Sequence, residues 1–241
     1  MLRVRGLTVA FGRQPILEGI DLDVTTGQFT SLIGPSGSGK TSILRAITAL
    51  LRPERGTVTL DVPPNDVGFL FQDDALLPWR TVRQNVALGL RIRGVAADLA
   101  TEKAERWLSL LGLEGLGDRY PRQLSGGQRK RVAIAQVLVL QPKLLLMDEP
   151  FASLDAIVRM RITQELLGWV EQEHLTVLLV THDLQEAISM SDVVYVLSHG
   201  PRATIRARHE VTIARPRSVL ETRSDPQFAP MFERLWNELS S

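Results

Sequence analysis

Residues 34–41 read Gly34-Pro35-Ser36-Gly37-Ser38-Gly39-Lys40-Thr41. The stretch satisfies the pattern G-x-x-x-x-G-K-[ST], and it joins the apolar run Phe29–Ile33 to a segment with apolar residues at helical spacing. Glycines let a backbone curl so that successive N–H groups point at an anion, and the start of a helix adds the positive end of its dipole. The stretch therefore predicts a phosphate-binding loop, and the alternative is a strand-to-helix turn that binds nothing.

Two side chains of this phosphate loop have the chemistry to hold a nucleotide. Lys40 can reach the β- and γ-phosphate oxygens, and the Thr41 hydroxyl can coordinate Mg²⁺, which prefers oxygen ligands. We expect these residues to contact the nucleotide: Gly34, Pro35, Ser36, Gly37, Ser38, Gly39, Lys40, Thr41 and Ser42. The helix that follows is expected to continue to Pro53, because Leu50 and Leu51 share the apolar face of its first turns.

A second apolar run ends in two carboxylates. The run Leu144–Asp148 is followed by Glu149 and Pro150. Ligands of parallel α/β sheets bind outside the carboxyl ends of the strands, where the phosphate loop is also expected. We therefore expect Asp148 to hold Mg²⁺ and Glu149 to polarise a water for attack on the γ-phosphate. The alternative is an ordinary acidic turn.

The 241-residue chain has the composition of a globular protein. Hydrophobic residues make up 44% and charged residues 23%, which excludes a disordered chain and a coiled-coil rod. A formal net charge of +1 gives no argument for a nucleic-acid partner. The absence of cysteine excludes disulfides, thiolate catalysis and cysteine-bound zinc. The apolar runs are short, so we expect neither a membrane-spanning helix nor a signal peptide.

The remaining patterns predict secondary structure along the chain. Apolar residues alternate before residue 25 and predict strands, whereas helical spacing around Trp107 predicts a helix with Thr101 as its N-cap. The segment Ala156–Glu173 lies between apolar runs at 144–148 and 175–181, which predicts a right-handed strand–helix–strand unit. A final helix is expected at Phe228–Leu239.

A second glycine-rich motif, which we call the signature, precedes another predicted helix. It reads Leu124-Ser125-Gly126-Gly127-Gln128. Ser125 and the bare glycine backbone would lie at a helix N-terminus, which is a second anion site. A single nucleotide already has its phosphates in the first loop. Two such sites in one chain are reconciled by a head-to-tail pair in which each signature covers the nucleotide of the other chain.

With the signature matched in full, the chain resembles the ATP-binding subunits of ABC transporters over about residues 2–200. The order of motifs after the phosphate loop is also similar to that family. It is a lone glutamine, the signature, the acidic strand, Ser153-Leu154-Asp155 and a lone histidine. The resemblance implies ATP and Mg²⁺ as cofactors, ATP hydrolysis by water, and a sandwich of two ATP molecules between two copies. One departure is Gln136, where many relatives carry arginine.

The resemblance also assigns roles to single residues. It implies that Phe11 stacks on adenine, although a strand-core role is the alternative, and that Gln72 contacts Mg²⁺ and the attacking water. It implies that His182 touches the γ-phosphate and that Asp155 acts across the dimer. Catalytic roles thus fall to Glu149, His182 and Gln72, metal ligation to Thr41, Gln72 and Asp148, and nucleotide contacts also to Ser125, Gly126, Gly127 and Gln128.

The resemblance implies an α/β fold with a P-loop NTPase core, a mainly parallel sheet, an N-terminal antiparallel β portion and a helical insertion. The predicted ATP-binding core comprises residues 1–72 and 143–200. The helical subdomain with the signature is expected at 73–142, and a C-terminal extension at 201–241.

Two groups of residues each allow two interpretations. Leu76, Leu77 and Trp79 form either a buried cluster or, as in the family, the groove that receives a helix of the membrane subunit. Five of the C-terminal arginines form either a solvated basic face or a surface attracted to the anionic cytoplasmic leaflet. They are Arg202, Arg206, Arg208, Arg215 and Arg217.

The sequence of residues 71–79 and 224–228 is similar to that of the ATP-binding subunits that serve importers of nitrate, sulfonate, taurine and related anions or vitamin precursors. The expected function is therefore the ATP-hydrolysing subunit of an importer, held at the cytoplasmic face of the inner membrane by a permease. The expected partners are a second copy of the chain, the permease and, indirectly, a solute-binding protein. We expect no nucleic-acid partner. The alternatives are a non-transport ABC ATPase acting on nucleic acid or the ribosome, and a plain P-loop kinase or GTPase.

Overall fold

The computed structural model describes residues 1–12, 14–152 and 154–240. Within them, strands β1 to β9 lie at Leu2–Phe11, Gln14–Val24, Phe29–Ile33, Arg55–Leu60, Val67–Leu70, Leu144–Asp148, Thr176–Thr181, Val193–Leu197 and Ile205–Glu210. Helices α1 to α7 lie at Lys40–Ile47, Val82–Ile92, Ala97–Leu110, Gly126–Leu138, Ala156–Gln172, Leu184–Met190 and Phe228–Ser240. No helix of these described ranges combines the length and the apolar character that crossing a bilayer requires.

The main sheet positions the site. Its strand order is β5-β6-β7-β3-β8-β9, and all strands are parallel except β9, which runs antiparallel to β8. Alternate residues of β7 enter different cores: Val177 and Leu179 pack with the helical region, and Leu178 and Val180 pack with α1 and the second sheet. Burial on both faces explains the continuous apolar runs. The parallel register brings the ends of β3, β6 and β7 to one edge.

The second sheet has the antiparallel order β2-β1-β4. In β2 the side chains of Ile20, Leu22 and Val24 are buried while those of Asp21 and Asp23 are exposed, which is the alternation of a sheet with one covered face. The predicted α/β fold with a mainly parallel sheet and an N-terminal antiparallel portion is thus confirmed.

The helical region between β5 and β6 contains α2, α3 and α4. Its helix near Trp107 is confirmed as α3, but the prediction that Thr101 caps it is wrong. The helix begins one turn earlier at Ala97, and the Thr101 hydroxyl donates to the Ala97 carbonyl inside it, 2.9 Å away. The early start buries Ala100 and Ala104 beside Leu108, which extends the apolar stripe.

The helix after the phosphate loop is shorter than predicted. It ends at Ile47, because the Thr48 hydroxyl binds the Leu44 carbonyl at 3.0 Å and Ala49 takes a left-handed backbone with φ 56°. Leu50 is consequently 64% exposed. The prediction that the helix continues to Pro53 is therefore wrong, since a capped end overrides the apolar spacing.

The C-terminal segment joins the main sheet through β9 and covers it with α7, the confirmed final helix. Each of the five arginines named in the sequence analysis hydrogen-bonds to an acceptor within the chain. Arg217 is 5% exposed and donates to the carbonyls of Val211 and Ile213. The solvated basic face is therefore wrong for Arg217, which closes loop carbonyls instead of facing water or lipid. The boundary at residue 201 stays a prediction.

Candidate functional site

The phosphate loop connects β3 to α1 and surrounds the Lys40 ammonium. The ammonium donates to the carbonyls of Gly34 and Pro35, each at 2.8 Å, and the side chain is 5% exposed. Burial lowers the pKa of Lys40. The loop fits closely around its neighbours: Gly39 has φ 93°, and a Cβ there would lie 2.8 Å from Leu17 Cδ2. The glycine is therefore required for both its backbone and its lack of a side chain.

The donors of this loop fit the phosphates of a nucleotide. The Ser38 hydroxyl is buried and has no hydrogen-bond partner among the described residues. Lys40 has only neutral carbonyls as its hydrogen-bond acceptors there. A buried donor without a partner is costly, so an anion between these groups would satisfy them.

Thr41 and Asp148 form an oxygen pair beside the loop. The Thr41 hydroxyl, in the first turn of α1, donates to Asp148 Oδ1 at 3.0 Å, at the carboxyl end of β6. Asp148 is 4% exposed, and burial raises the pKa of its carboxyl. A hydroxyl and a buried carboxylate are ligands that suit Mg²⁺, and a cation between them would favour the charged carboxylate.

Glu149 follows Asp148 with a left-handed backbone, φ 44°, which is uncommon for a residue other than glycine. Its N–H donates to the Val180 carbonyl at 2.8 Å, so β7 holds this conformation in place. One carboxylate oxygen lies 3.9 Å from the Lys40 ammonium, and the other lies 2.9 Å from His182 Nδ1. Backbone strain and two cationic or polar neighbours thus direct the Glu149 carboxylate toward the phosphate loop.

A polar cluster lies behind His182, and no sequence motif marks it. It surrounds a cavity of about 10 Å³, which is room for one water. Glu186 accepts from the Thr181 hydroxyl at 2.8 Å, and burial raises its pKa to about 7. Arg159 of α5 lies 3.3 Å from Asp183, which caps α6. The cluster therefore connects α5 to the segment that carries His182.

The signature begins α4 as predicted. Ser125 is the N-cap; its hydroxyl accepts from the Gln128 N–H at 3.2 Å, and the Gln128 side chain accepts from the Ser125 N–H at 2.9 Å. Ser125 and Gly126 are exposed, while a Cβ on Gly127 would lie 2.9 Å from Val158 Cγ1 of α5. The exposed helix start presents N–H groups to an outside ligand, and the Gln128 amide oxygen is already used inside the chain.

The other predicted residues lie at separate places. Phe11 ends β1 with 53% of its surface exposed, so the strand-core alternative is wrong for it. Gln72 is exposed just after β5, and Asp155 caps α5 by accepting from the Val158 N–H at 3.0 Å. Ser153, which precedes it in the motif, lies outside the described residues. The roles of these side chains toward a nucleotide stay predictions.

The segment between Gln72 and α2 is partly buried and partly exposed. Leu76 packs against the core, whereas Trp79 is 70% exposed. The buried Asn85 holds the loop by accepting from the Leu77 N–H at 2.7 Å and donating to the Arg80 carbonyl at 3.1 Å. The wholly buried alternative is therefore wrong for Trp79, which a fixed loop presents to the outside.

Comparisons with known proteins show what the chain is similar to. The ABC transporter family model matches residues 17–152. The chain is 43% identical to an aliphatic sulfonates import ATP-binding protein of Nocardia farcinica, over 97% of this chain and 89% of that protein. It is 40% identical to the taurine import ATP-binding protein of Escherichia coli O157:H7, over 97% of this chain and 94% of that protein.

Other relatives are longer, and solved structures share the fold. A sulfate/thiosulfate import ATP-binding protein of Synechocystis is 42% identical over 86% of this chain, which spans 61% of that protein. A dimeric bacterial ABC transporter cassette superposes with a TM-score of 0.79 at 29% identity, covering 89% of this chain and all of that one. The same cassette has been solved in a post-hydrolysis state with ADP and phosphate. The chain therefore belongs to the ABC transporter family and carries its ATPase domain.

Proposed function

We propose that this chain is the ATP-hydrolysing subunit of an ABC importer. The observation that carries the proposal is the placement of Glu149 between the Lys40 ammonium and His182, at 3.9 Å and 2.9 Å. A carboxylate held beside a phosphate loop is positioned to accept a proton from water and orient it toward the γ-phosphate.

Each residue around Glu149 has a distinct task. Lys40 and the loop N–H groups hold the phosphates, and Phe11 offers an exposed ring for adenine. Thr41 and Asp148, with Gln72, would hold Mg²⁺, which supplies positive charge next to the phosphate oxygens when bound. His182 holds the Glu149 carboxylate in one orientation. Catalysis then rests on positioning and electrostatic stabilisation.

A second copy of the chain completes the site. Ser125 and Gly126 form an exposed helix start, which is a site suited to an anion. The phosphates of the chain's own nucleotide lie in the phosphate loop, so this second site is available to another nucleotide. Two chains arranged head to tail would each place this helix start on the nucleotide of the other, with Asp155 at the same interface. Both chains would contact the γ-phosphate of ATP, so bound ATP would favour the closed dimer. Loss of the γ-phosphate would remove this preference and open the dimer.

Transport requires a membrane partner, for which the exposed Trp79, in the loop that follows Gln72, is the proposed contact. A permease would hold the chain at the cytoplasmic face of the membrane, and a solute-binding protein would act through it. The relatives named for sulfonate and taurine import cover nearly the whole chain. We therefore propose a small anion such as a sulfonate, with nitrate or a vitamin precursor as related candidates. The non-transport alternative is not favoured.

The substitution Glu149→Gln tests the hydrolytic role. We expect the variant to bind ATP, to lose turnover by at least about 100-fold and to accumulate as a dimer, because the amide cannot accept the proton. The exposed Glu173→Gln at the end of α5 is the matched control and should keep full activity. Phosphate release and sedimentation measure both, and wild-type turnover in Glu149→Gln would contradict the proposal.

A further inference from the structure

A fully buried lysine connects the signature helix to the segment that carries Gln72. Lys130 lies in the second turn of α4 and has no exposed surface. Its ammonium donates to the carbonyls of Gln72 at 2.9 Å and Phe71 at 3.4 Å, and it lies 3.3 Å from Asp74 Oδ1. Leaving a cation in the interior is costly unless all its protons are used, and these three acceptors use them.

The neighbouring arginine makes a parallel connection. Arg129 Nε lies 3.3 Å from Asp74 Oδ2, and Arg129 Nη1 donates at 2.8 Å to the carbonyl of Leu124, the first residue of the signature. The Asp74 carboxylate thus bridges two consecutive cations of α4. We call Asp74, Arg129 and Lys130 the linking cluster.

The linking cluster joins parts of the chain that have different tasks. Gln72 faces the chain's own nucleotide site in the proposed function, whereas Ser125 begins α4 and faces the partner's nucleotide. Farther along α4, Val137 packs on β5 so closely that a Cβ on Gly68 would lie 2.7 Å from Val137 Cγ1. The far half of the helix is therefore fixed by apolar packing, and its signature end is fixed by hydrogen bonds to the Gln72 segment.

We propose that Lys130 is a positioning residue that makes the Gln72 backbone and the signature end of α4 move as one body. Nucleotide binding in one chain then orients the Ser125 helix start for the nucleotide of the other chain. The inference rests on the proposed function, since it assumes the head-to-tail ATP dimer. A ligand that touches Gln72 can bias the orientation of Ser125 only through a physical connection, and the linking cluster supplies one.

The test uses the full chain in the Glu149→Gln background, which is expected to form a stable ATP dimer. Adding Lys130→Met removes the ammonium but keeps an unbranched apolar side chain of similar length. We expect at least about tenfold weaker ATP-dependent dimerisation by sedimentation, because hydrogen bonds to a charged group are lost. ATP affinity of the monomer, measured at protein concentrations too low for dimerisation, should stay within about twofold, because the nucleotide contacts of the monomer are intact.

Two further variants separate positioning from general stability. Lys130→Gln can still donate to the Gln72 carbonyl and should recover part of the dimerisation, and Asp74→Asn should cause a smaller loss than Lys130→Met. Lys143→Met is the matched control, because Lys143 is 65% exposed and forms a surface ion pair with Asp66 at 2.9 Å. It should dimerise like the parent.

A distance measurement reads the connection directly. The chain has no cysteine, so spin labels at Asp73→Cys and Arg122→Cys would be the only two, one beside Gln72 and one before the signature. Both positions are exposed. In ATP dimers of one labelled and one unlabelled chain, the parent should give one narrow distance distribution, and Lys130→Met should give a broader one in a protein that circular dichroism shows to be folded.

The outcomes are distinguishable. If the Glu149→Gln parent does not dimerise with ATP, the proposed function fails and this inference fails with it. If the parent dimerises and Lys130→Met dimerises equally well, the inference alone is overturned. If Lys130→Met does not fold, Lys130→Gln and Asp74→Asn decide, and parent-like dimerisation in both overturns it.

Discussion

Glu186 is predicted to make the protein less stable as the pH rises. Its side chain is 10% exposed, and burial raises its pKa from 4.5 to about 7. Between these values the folded protein keeps a proton that the unfolded chain has lost. The stability from the protonated carboxyl is therefore complete below pH 4.5 and is lost as the pH rises to about 7.

The size of the effect follows from linkage. Each pKa unit corresponds to about 1.4 kcal/mol, so the difference between 4.5 and about 7 corresponds to about 3 kcal/mol. Asp183 raises the pKa of Glu186 further, while the Thr181 hydroxyl, Arg159 and His182 lower it, and these effects are included in that difference.

The substitution Glu186→Gln removes the titrating carboxyl and keeps an oxygen that can accept a hydrogen bond from the Thr181 hydroxyl. Urea unfolding of the nucleotide-free protein, followed by the fluorescence of its four tryptophans, gives the free energy of unfolding. Relative to the wild type, the variant should gain about 2 to 3 kcal/mol between pH 5 and pH 8.

The exposed Glu102→Gln on α3 is the control, and its difference from the wild type should not change with pH. Parallel stability curves for the wild type and Glu186→Gln would refute the conclusion that Glu186 is protonated in the folded protein near neutral pH.

Three other predictions concern the nucleotide site and its surroundings. Lys40→Ala should weaken ATP binding at least about tenfold in calorimetry, because it removes the buried ammonium, and an unchanged isotherm would argue against the loop assignment. Asp148→Asn should raise the Mg²⁺ concentration for half-maximal ATPase activity about tenfold, and an identical Mg²⁺ titration would exclude Asp148 as a ligand. Trp79→Ala should reduce co-purification with the permease, since Trp79 is 70% exposed, and equal recovery would move the docking surface elsewhere.

The parts of the fold that repeat a local pattern could be predicted from sequence. Strand β3, at residues 29–33, and β6, at residues 144–148, match their apolar runs, because a short continuous apolar run in an α/β chain is typical of a strand covered on both faces. The end of α1 could not be predicted in this way. Apolar spacing favoured a longer helix, and a threonine side chain competing for the last carbonyls ended it at Ile47.

The site shows the same division. Motif residues such as Lys40 and Asp148 could be named because their chemistry is local to a loop or a strand end. Lys130 and Glu186 could not, since a buried lysine in α4 gains its meaning from carbonyls 58 and 59 residues away. Arg217 reads as a surface charge in sequence, and only the fold shows the loop carbonyls that surround it.

In the proposed dimer, ATP joins two copies of this chain head to tail, with Ser125 of one facing the phosphate loop of the other. A cysteine-free chain allows a direct measurement: protomers carrying Ser36→Cys are mixed with protomers carrying Ser125→Cys, both in the Glu149→Gln background, and treated with a short bismaleimide. We expect a covalent mixed dimer with ATP and none with ADP. Equal crosslinking with both nucleotides, or none with either, would contradict it.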